Sequence, residues 1–169
     1  YGDEYGAEPS RYLGDVNRYD IDRRHPFILI DSNKCIKCGR CLKTCESILG
    51  ASALGFVKRG FSAVVKPALE KSLLETDCIS CGNCIDSCPT GALSENVSLM
   101  ARMETGIKHR PTVCSFCSVG CMLDIKTFGR DLRIRSLRDK NTGNGDYLCF
   151  KGRFGSSYLR DSARIDRPA

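Results

Sequence analysis

The 169 residues carry 26 Lys and Arg against 20 Asp and Glu, a formal charge of +6, and include 12 Cys and 16 Gly but no Trp. A chain of this length holds one ordinary domain or two small ones, and with large apolar residues sparse a conventional core is thin. Twelve thiols in so short a chain imply disulfides, metal ligands or both, since idle thiols invite oxidation.

In chain order, residues 1–24 read as a connecting segment with no apolar signal sequence. His25-Pro26 favours a turn, and "FILID" at 27–31 predicts a strand. "CIKCGRCLKTC" at 35–45 follows. "LGFVKRGFSAVVKP" predicts a β-hairpin about Arg59-Gly60. "CISCGNCIDSC" at 78–88 then repeats the first cysteine run 43 residues later, with six of eleven positions identical. "TGALSE" predicts a strand that partners the first. Residues 96–110, polar and containing Gly106, read as a linker. In 111–169, "CSFCSVGC" supplies Cys114, Cys117 and Cys121. "MLDIKTF" and "DLRIRSLRD" predict a second hairpin, after which "GNGDYLC" delivers Cys149.

Disulfides knit distant segments of small secreted domains, whereas these cysteines crowd into short runs. That spacing speaks for metal. Cysteines at i, i+3 and i+6 turn three thiolates into one hollow, and Gly39 and Gly82 sit where the chain must pass close by. In C-x2-C-x2-C-x3-C the fourth cysteine, expected to begin a helix leading away, ligates the other repeat's cluster. The expected sets are Cys35, Cys38, Cys41 and Cys88 for one [4Fe-4S] cluster, and Cys45, Cys78, Cys81 and Cys84 for another. Structural zinc is the alternative, because all-sulfur tetrahedral sites suit it too. Cys114, Cys117, Cys121 and Cys149 are expected to form a third [4Fe-4S] site. Its alternative is a three-cysteine cluster with Cys149 merely buried. Three cubanes at about −2 each would bring +6 to zero, so the basic excess reads as counter-charge rather than a nucleic-acid face. His25 and His109, outside the cysteine runs, read as packing or surface residues.

The repeated run, with Pro89 after Cys88, resembles a bacterial two-cluster ferredoxin; Glu46 after Cys45 departs from that pattern. "CSFCSVGC" with "YLCFKGRFG" resembles the cluster-binding region of molybdopterin oxidoreductases. Their order resembles the large iron–sulfur subunit of respiratory complex I and NAD-linked formate dehydrogenases, as does "YGAEPSRY" at 5–12. The resemblance implies an α+β fold: a two-cluster ferredoxin-like domain at 25–95, then a small β-rich 4Fe-4S domain at 111–169. It further implies a relay of single electrons in a cytoplasmic multisubunit NAD(P)-linked oxidoreductase, with flavin- or NAD(P)-binding and iron–sulfur subunits as partners. No nucleic acid, membrane insertion or substrate-converting site is expected. The alternative is the cluster-binding part of a molybdenum- or tungsten-pterin catalytic subunit, with molybdopterin bound only if a further domain follows. Lys151, two residues after Cys149, would then lie between cluster and pterin; otherwise it neutralises the third cluster.

The two runs also differ in charge. Lys37, Arg40 and Lys43 stand where the second run has Ser80, Asn83 and Asp86. Cations favour reduction of a neighbouring cluster and anions oppose it, so the Cys35 cluster is expected to have the higher potential.

Overall fold

The computed structural model describes residues 2–8, 14–96, 108–128, 131–137 and 145–165. The "YGAEPSRY" motif and the tip of the second predicted hairpin lie partly outside these residues, and most of the predicted linker lies wholly outside them.

Strand β1 (Ile28–Ile30) is buried along its whole length and pairs antiparallel with β4 (Leu93–Glu95), Leu29 opposite Ser94. "FILID" and "TGALSE" thus join as expected, closing the ferredoxin-like half at its two ends. The hairpin between the repeats is β2 (Gly55–Val57) against β3 (Val64–Lys66), with a short 3-10 turn at Gly60–Ser62. Val65 of β3 enters a core with Ile28, Ile30, Leu54, Leu73, Ile85 and Leu93. Three cysteines, Cys41, Cys45 and Cys84, are part of that same core.

Each cysteine run makes the same local structure. The chain takes a left-handed conformation at Lys37 (φ +57°) and Gly39 (+72°), and at Ser80 (+54°) and Gly82 (+73°). Glycine accepts this freely, whereas Lys37 and Ser80 adopt it at a steric cost of about 1–2 kcal/mol. Helix α1 (Arg40–Lys43) and helix α2 (Asn83–Ser87) start directly after the glycines. The fourth cysteine therefore does not begin a helix, contrary to the expectation from spacing. Cys45 lies in a π-helical turn (Thr44–Ile48) continuing α1, and Cys88 stands just beyond the end of α2. Thr44 Oγ1 and Ser87 Oγ, equivalent in the two repeats, lie 2.8 Å apart. Such self-pairing of equivalent positions marks a local twofold between the repeats.

The N-terminal connecting segment packs along this half. Asp22 and Ile30 exchange backbone hydrogen bonds at 2.9 and 3.0 Å, and Arg24 binds Asp22 and the carbonyls of Glu70 and Lys71.

The second half is a three-stranded antiparallel sheet. Strand β5 (Lys108–Val113) pairs with β6 (Met122–Phe128), which pairs with β7 (Asp131–Ser136). The predicted hairpin is β6–β7. Lys108, His109 and Arg110, expected in the linker, instead open β5. The strand is exposed throughout and lacks apolar alternation, so its signal was hidden. It is held by pairing to β6, and Pro111 is tolerated because β5 is an edge. Leu123, Ile134, Leu148 and Cys114 form a small second core. Helix α3 (Phe150–Phe154) follows Cys149 and packs back against the ferredoxin-like half.

Candidate metal centres

None of the twelve cysteines is disulfide-bonded. Cys35, Cys38, Cys41 and Cys88 line one hollow with Ile30, Val65 and Leu93. Cys45, Cys78, Cys81 and Cys84 line a second with Ile28, Leu54 and Leu73. The grouping crosses the repeats: each hollow takes three thiols from one run and the fourth from the other. Both crossings follow from the helices, because α1 carries Cys41 on its own side and delivers Cys45 a turn later to the other.

Backbone amides surround these sulfurs. Lys37 N–H donates to Cys35 Sγ and Ser80 N–H to Cys78 Sγ, each at 3.4 Å, and Leu93 N–H donates to Cys88 Sγ at 3.5 Å. The left-handed turns at Lys37 and Ser80 aim the first two amides inward, an anion-favouring arrangement. Burial pushes the Cys41 thiol up to about 11, with Cys88, Cys35 and Cys38 adding to the push. Burial also raises Cys84 strongly, its cysteine neighbours reinforcing it. Cys88 is lowered; burial opposes this, but the amides of Leu93, Thr90 and Ala92 together with the Thr90 hydroxyl outweigh it. A cation that recruits these thiols must therefore displace protons from the buried ones.

In the second half, Cys114 is buried, Cys121 half-buried, and Cys117 and Cys149 exposed. Burial raises Cys121, and Cys114, Cys117 and Cys149 follow as causes, so the four thiols are electrostatic neighbours. Gly152 N–H donates to Cys149 Sγ at 3.4 Å. The position of a side chain at Gly152 lies 3.7 Å from Cys114 Sγ and 3.8 Å from Cys149 Sγ, so this glycine floors a cradle shared by the first and last thiols. Cys149 is exposed, whereas the three-cysteine alternative expected it to be buried. Lys151 is exposed on α3, two residues on. His109 is exposed on β5 and pairs with Asp124 at 3.3 Å. His25 is buried and hydrogen-bonded on both ring nitrogens.

The structure also shows residues that cysteine spacing could not find. Asn83, 1% exposed, donates to Leu148 O at 2.8 Å and accepts from Leu148 N at 3.1 Å, joining α2 to the chain just before Cys149. Arg153 reaches Asp86 at 2.5 and 2.9 Å and Glu95 at 3.2 Å with a side chain 1% exposed. Arg133 holds the other oxygen of Glu95 at 2.9 Å, and Arg135 stands 3.7 Å from Asp86. Phe27 stacks on Phe154 with centroids 4.7 Å apart and meets Phe150 edge-on. Asp86, expected to oppose reduction beside the second cysteine set, is instead paired with arginines. Arg153 and Arg135 neutralise it, and it serves to dock the two halves. The only sequence hint was that positions 83 and 86 depart from the repeat.

Comparison with known proteins fits this division. The ferredoxin-like domain of NADH-quinone oxidoreductase subunit 3 matches residues 25–94, and the molybdopterin oxidoreductase Fe4S4 domain matches 107–161. The chain is thus similar, in order and over most of its length, to proteins that join these two iron–sulfur domains. An NADH-quinone oxidoreductase subunit of Rhizobium meliloti is 36% identical over 97% of the chain, and the match covers 19% of that protein. NADPH-Fe(3+) oxidoreductase subunit alpha of Geobacter sulfurreducens is 34% identical over 96% of the chain and 19% of its own length. NADP-reducing hydrogenase subunit HndD of Solidesulfovibrio fructosivorans is 42% identical over 54% of the chain and 14% of its own length. The matches span about a fifth or less of these relatives. No helix among the described residues is long and apolar enough to cross a membrane.

Proposed function

We propose that this chain is an electron-relay segment of a multisubunit NAD(P)-linked oxidoreductase. Cys35, Cys38, Cys41 and Cys88 would hold one [4Fe-4S] cluster, Cys45, Cys78, Cys81 and Cys84 a second, and Cys114, Cys117, Cys121 and Cys149 a third. The observation that carries this reading is the crossed grouping of thiols around the two hollows. Among the described residues no group of three or more His, Cys, Asp or Glu is arranged to hold a single metal ion. Three successive cysteines with a fourth crossed over from the other run suit a multi-atom cluster better than the paired C-x2-C units usual for structural zinc. Such clusters, when bound, exchange one electron each.

The chain's own residues then have definite tasks. The amides of Lys37, Ser80, Leu93 and Gly152 stabilise negative charge on sulfur, apolar walls keep water from the first two hollows, and the Asn83 and Arg153 contacts fix the third cysteine set against the second. Two domains, 25–95 and 111–169, with partners that bind flavin or NAD(P) in the cytoplasm, complete the reading; the names of the relatives support its NAD(P)-linked, multisubunit part. A second reading, the cluster-binding part of a pterin catalytic subunit, draws on Lys151: it is exposed on α3 beside Cys149, where a following domain could meet it.

The test is metal content with crossed variants. Anaerobically purified protein should contain about 12 iron and 12 sulfide per chain. Cys45→Ala should remove the spectral signature of the Cys78 set and leave that of the Cys35 set. Loss of the Cys35 signal instead, or zinc in place of iron, refutes the assignment.

A further inference from the structure

The two cysteine runs differ in what covers them. A side chain at Gly82 would meet Arg153 Cδ at 2.7 Å and Phe154 Cζ at 2.9 Å, so the second turn is capped by α3 of the other half. At Gly39, its equivalent, the nearest atom is Phe56 Cε2 at 3.9 Å. The second cysteine of each run follows suit: Cys81 is buried and Cys38 exposed. Large apolar side chains gather at the open turn, with Ile36 64% exposed, Phe56 50% and Phe61 62%. Lys37 Nζ at 3.2 Å and Asn17 Nδ2 at 2.9 Å both donate to Phe61 O, which ties the hairpin of β2 and β3 to the turn and to the N-terminal segment. Charge is inverted between the turns. Asn83 and Asp86 of α2 hold the Leu148 backbone and the Arg153 guanidinium; the equivalent residues of α1 are Arg40 and Lys43, both exposed. Lys58 and Arg59 carry the positive charge onto the hairpin, and no ion pair to any of these four cations is present among the described residues. Residues 32–69 hold seven Lys and Arg against one acid, Glu46.

We propose that the open first turn, with Ile36, Phe56 and Phe61 at its centre and the cations around them, docks a separate single-electron carrier protein with an acidic surface. It rests on the reading of Cys35, Cys38, Cys41 and Cys88 as cluster ligands, and adds where an electron crosses between this chain and another protein: the one electron lost by the carrier is gained at this site, or the reverse. The local twofold shows how such a turn is covered. At the second turn an aromatic ring lies over the glycine and an arginine binds Asp86. With Lys43 standing where Asp86 stands, the same seat takes a carboxylate. Apolar side chains at the centre with charge at the rim suit a protein surface, whereas a phosphate backbone is held by cations and polar donors. A second copy of this chain, brought on by a twofold axis, would set cation against cation. Unpaired rim cations steer an acidic partner and raise its encounter rate, and the exposed Cys38 brings the ligand set to the surface that the carrier would touch.

The test uses the full-length protein in its native complex, with an acidic flavodoxin and an acidic ferredoxin as probes and a basic c-type cytochrome as control. Titration calorimetry with all partners oxidised, so that no electron moves, should show binding of an acidic probe that weakens as salt rises. Lys43→Asp/Arg59→Glu should weaken it about tenfold at low salt. Lys108→Glu/Arg110→Glu makes the same change of net charge on exposed β5 and should leave it within about twofold. In stopped flow, the second-order rate of electron exchange with the same probe should fall in parallel in the first variant alone. Iron content and melting temperature of each variant verify that the fold is intact. Absence of salt-sensitive binding by both acidic probes, equal loss in the two variants, or tighter binding of the cytochrome to the wild type overturns the docking face. So does a dimer of the wild type that dissociates in Lys43→Asp/Arg59→Glu, which gives the face to a second copy, and so does duplex DNA binding lost in that variant without any carrier binding. These outcomes leave the cluster reading standing as long as iron and a redox signal are present at the Cys35 set; their absence from the wild type overturns that reading itself.

Discussion

Arg153→Met removes one charge from the junction of the two halves while keeping most of the side chain's packing stem. In the structure that guanidinium is 1% exposed and lies between Asp86 and Glu95, whose side chains are 10% and 8% exposed. Burial alone would favour its neutral form, but the hydrogen bonds and charges of Asp86 and Glu95 raise its pKa overall. Removing one member of a buried ion network costs about 3–5 kcal/mol, because the remaining charges stay buried. Arg135 and Arg133 still face the two carboxylates, which places the expected loss near the lower end, about 3 kcal/mol. For a chain of this size that is a fall of about 6–12 °C in melting temperature. It is also a fall of about 1–3 M in the urea midpoint. Neutralising the partner as well, in Arg153→Met/Asp86→Asn, should recover part of the loss by removing an orphaned carboxylate. Arg164→Met is the control: that exposed side chain stands over the Tyr158 ring and should change stability by no more than about 0.5 kcal/mol. Scanning calorimetry and urea titration read all three variants. If Arg153→Met melts within a degree or two of the wild type, the junction is not held as argued.

Two further expectations separate neighbouring features. Gly39 and Gly82 share a left-handed backbone, but a side chain at Gly82 would meet Arg153 Cδ at 2.7 Å and Phe154 Cζ at 2.9 Å, whereas at Gly39 the nearest atom is Phe56 Cε2 at 3.9 Å. Gly39→Ala should therefore cost about 1–2 kcal/mol of backbone strain, and Gly82→Ala that much plus loosening of the two halves, seen as faster proteolysis at their junction. For His25, burial lowers the imidazole pKa against a smaller upward pull from Asp22. The unfolded chain then takes up the proton first, so this contribution to stability is complete above about pH 6.5 and is lost as pH falls through that value toward the folded pKa. His25→Asn should reduce the difference in melting temperature between pH 7.5 and 5.5; an unchanged difference contradicts a buried neutral ring.

Much of this architecture was legible in residue spacing because ligand loops are short-range objects. Three thiols at i, i+3 and i+6 with a glycine beside them leave few backbone solutions, and the structure finds the same one twice, even at Lys37 and Ser80 where the side chain opposes it. Strands β1, β4, β6 and β7 were legible for a related reason: alternation or apolar runs mark segments that must be covered. Strand β5 was not, because it is exposed at every position and its order comes from its partner. The junction was not legible either. Asn83, Asp86 and Glu95 meet Leu148, Arg133 and Arg153 across separations of 38 to 67 residues, and no local pattern announces such pairs.

The same distinction decides how far charge counting can be trusted for the two ferredoxin-type sites. By sequence, three cations in the first run faced two neutral residues and an anion in the second. In the folded chain Lys37 is exposed with its ammonium on the carbonyl of Phe61, so solvent weakens its influence on the nearby thiols. Asp86 has a buried guanidinium at 2.5 Å and a second at 3.7 Å, so its field at the Cys78 set is largely cancelled. What remains close to sulfur is dipolar rather than charged. Both sites have an amide from the left-handed turn. The first adds the Leu93 amide on Cys88 and the Thr90 hydroxyl at 3.7 Å from the same sulfur. Short-range donors in a low-dielectric hollow act more strongly than solvated charges farther off. The difference between the two potentials should therefore change little in Lys37→Ser, less than the sequence charges imply, and a large fall of the Cys35 potential in a redox titration of that variant contradicts this.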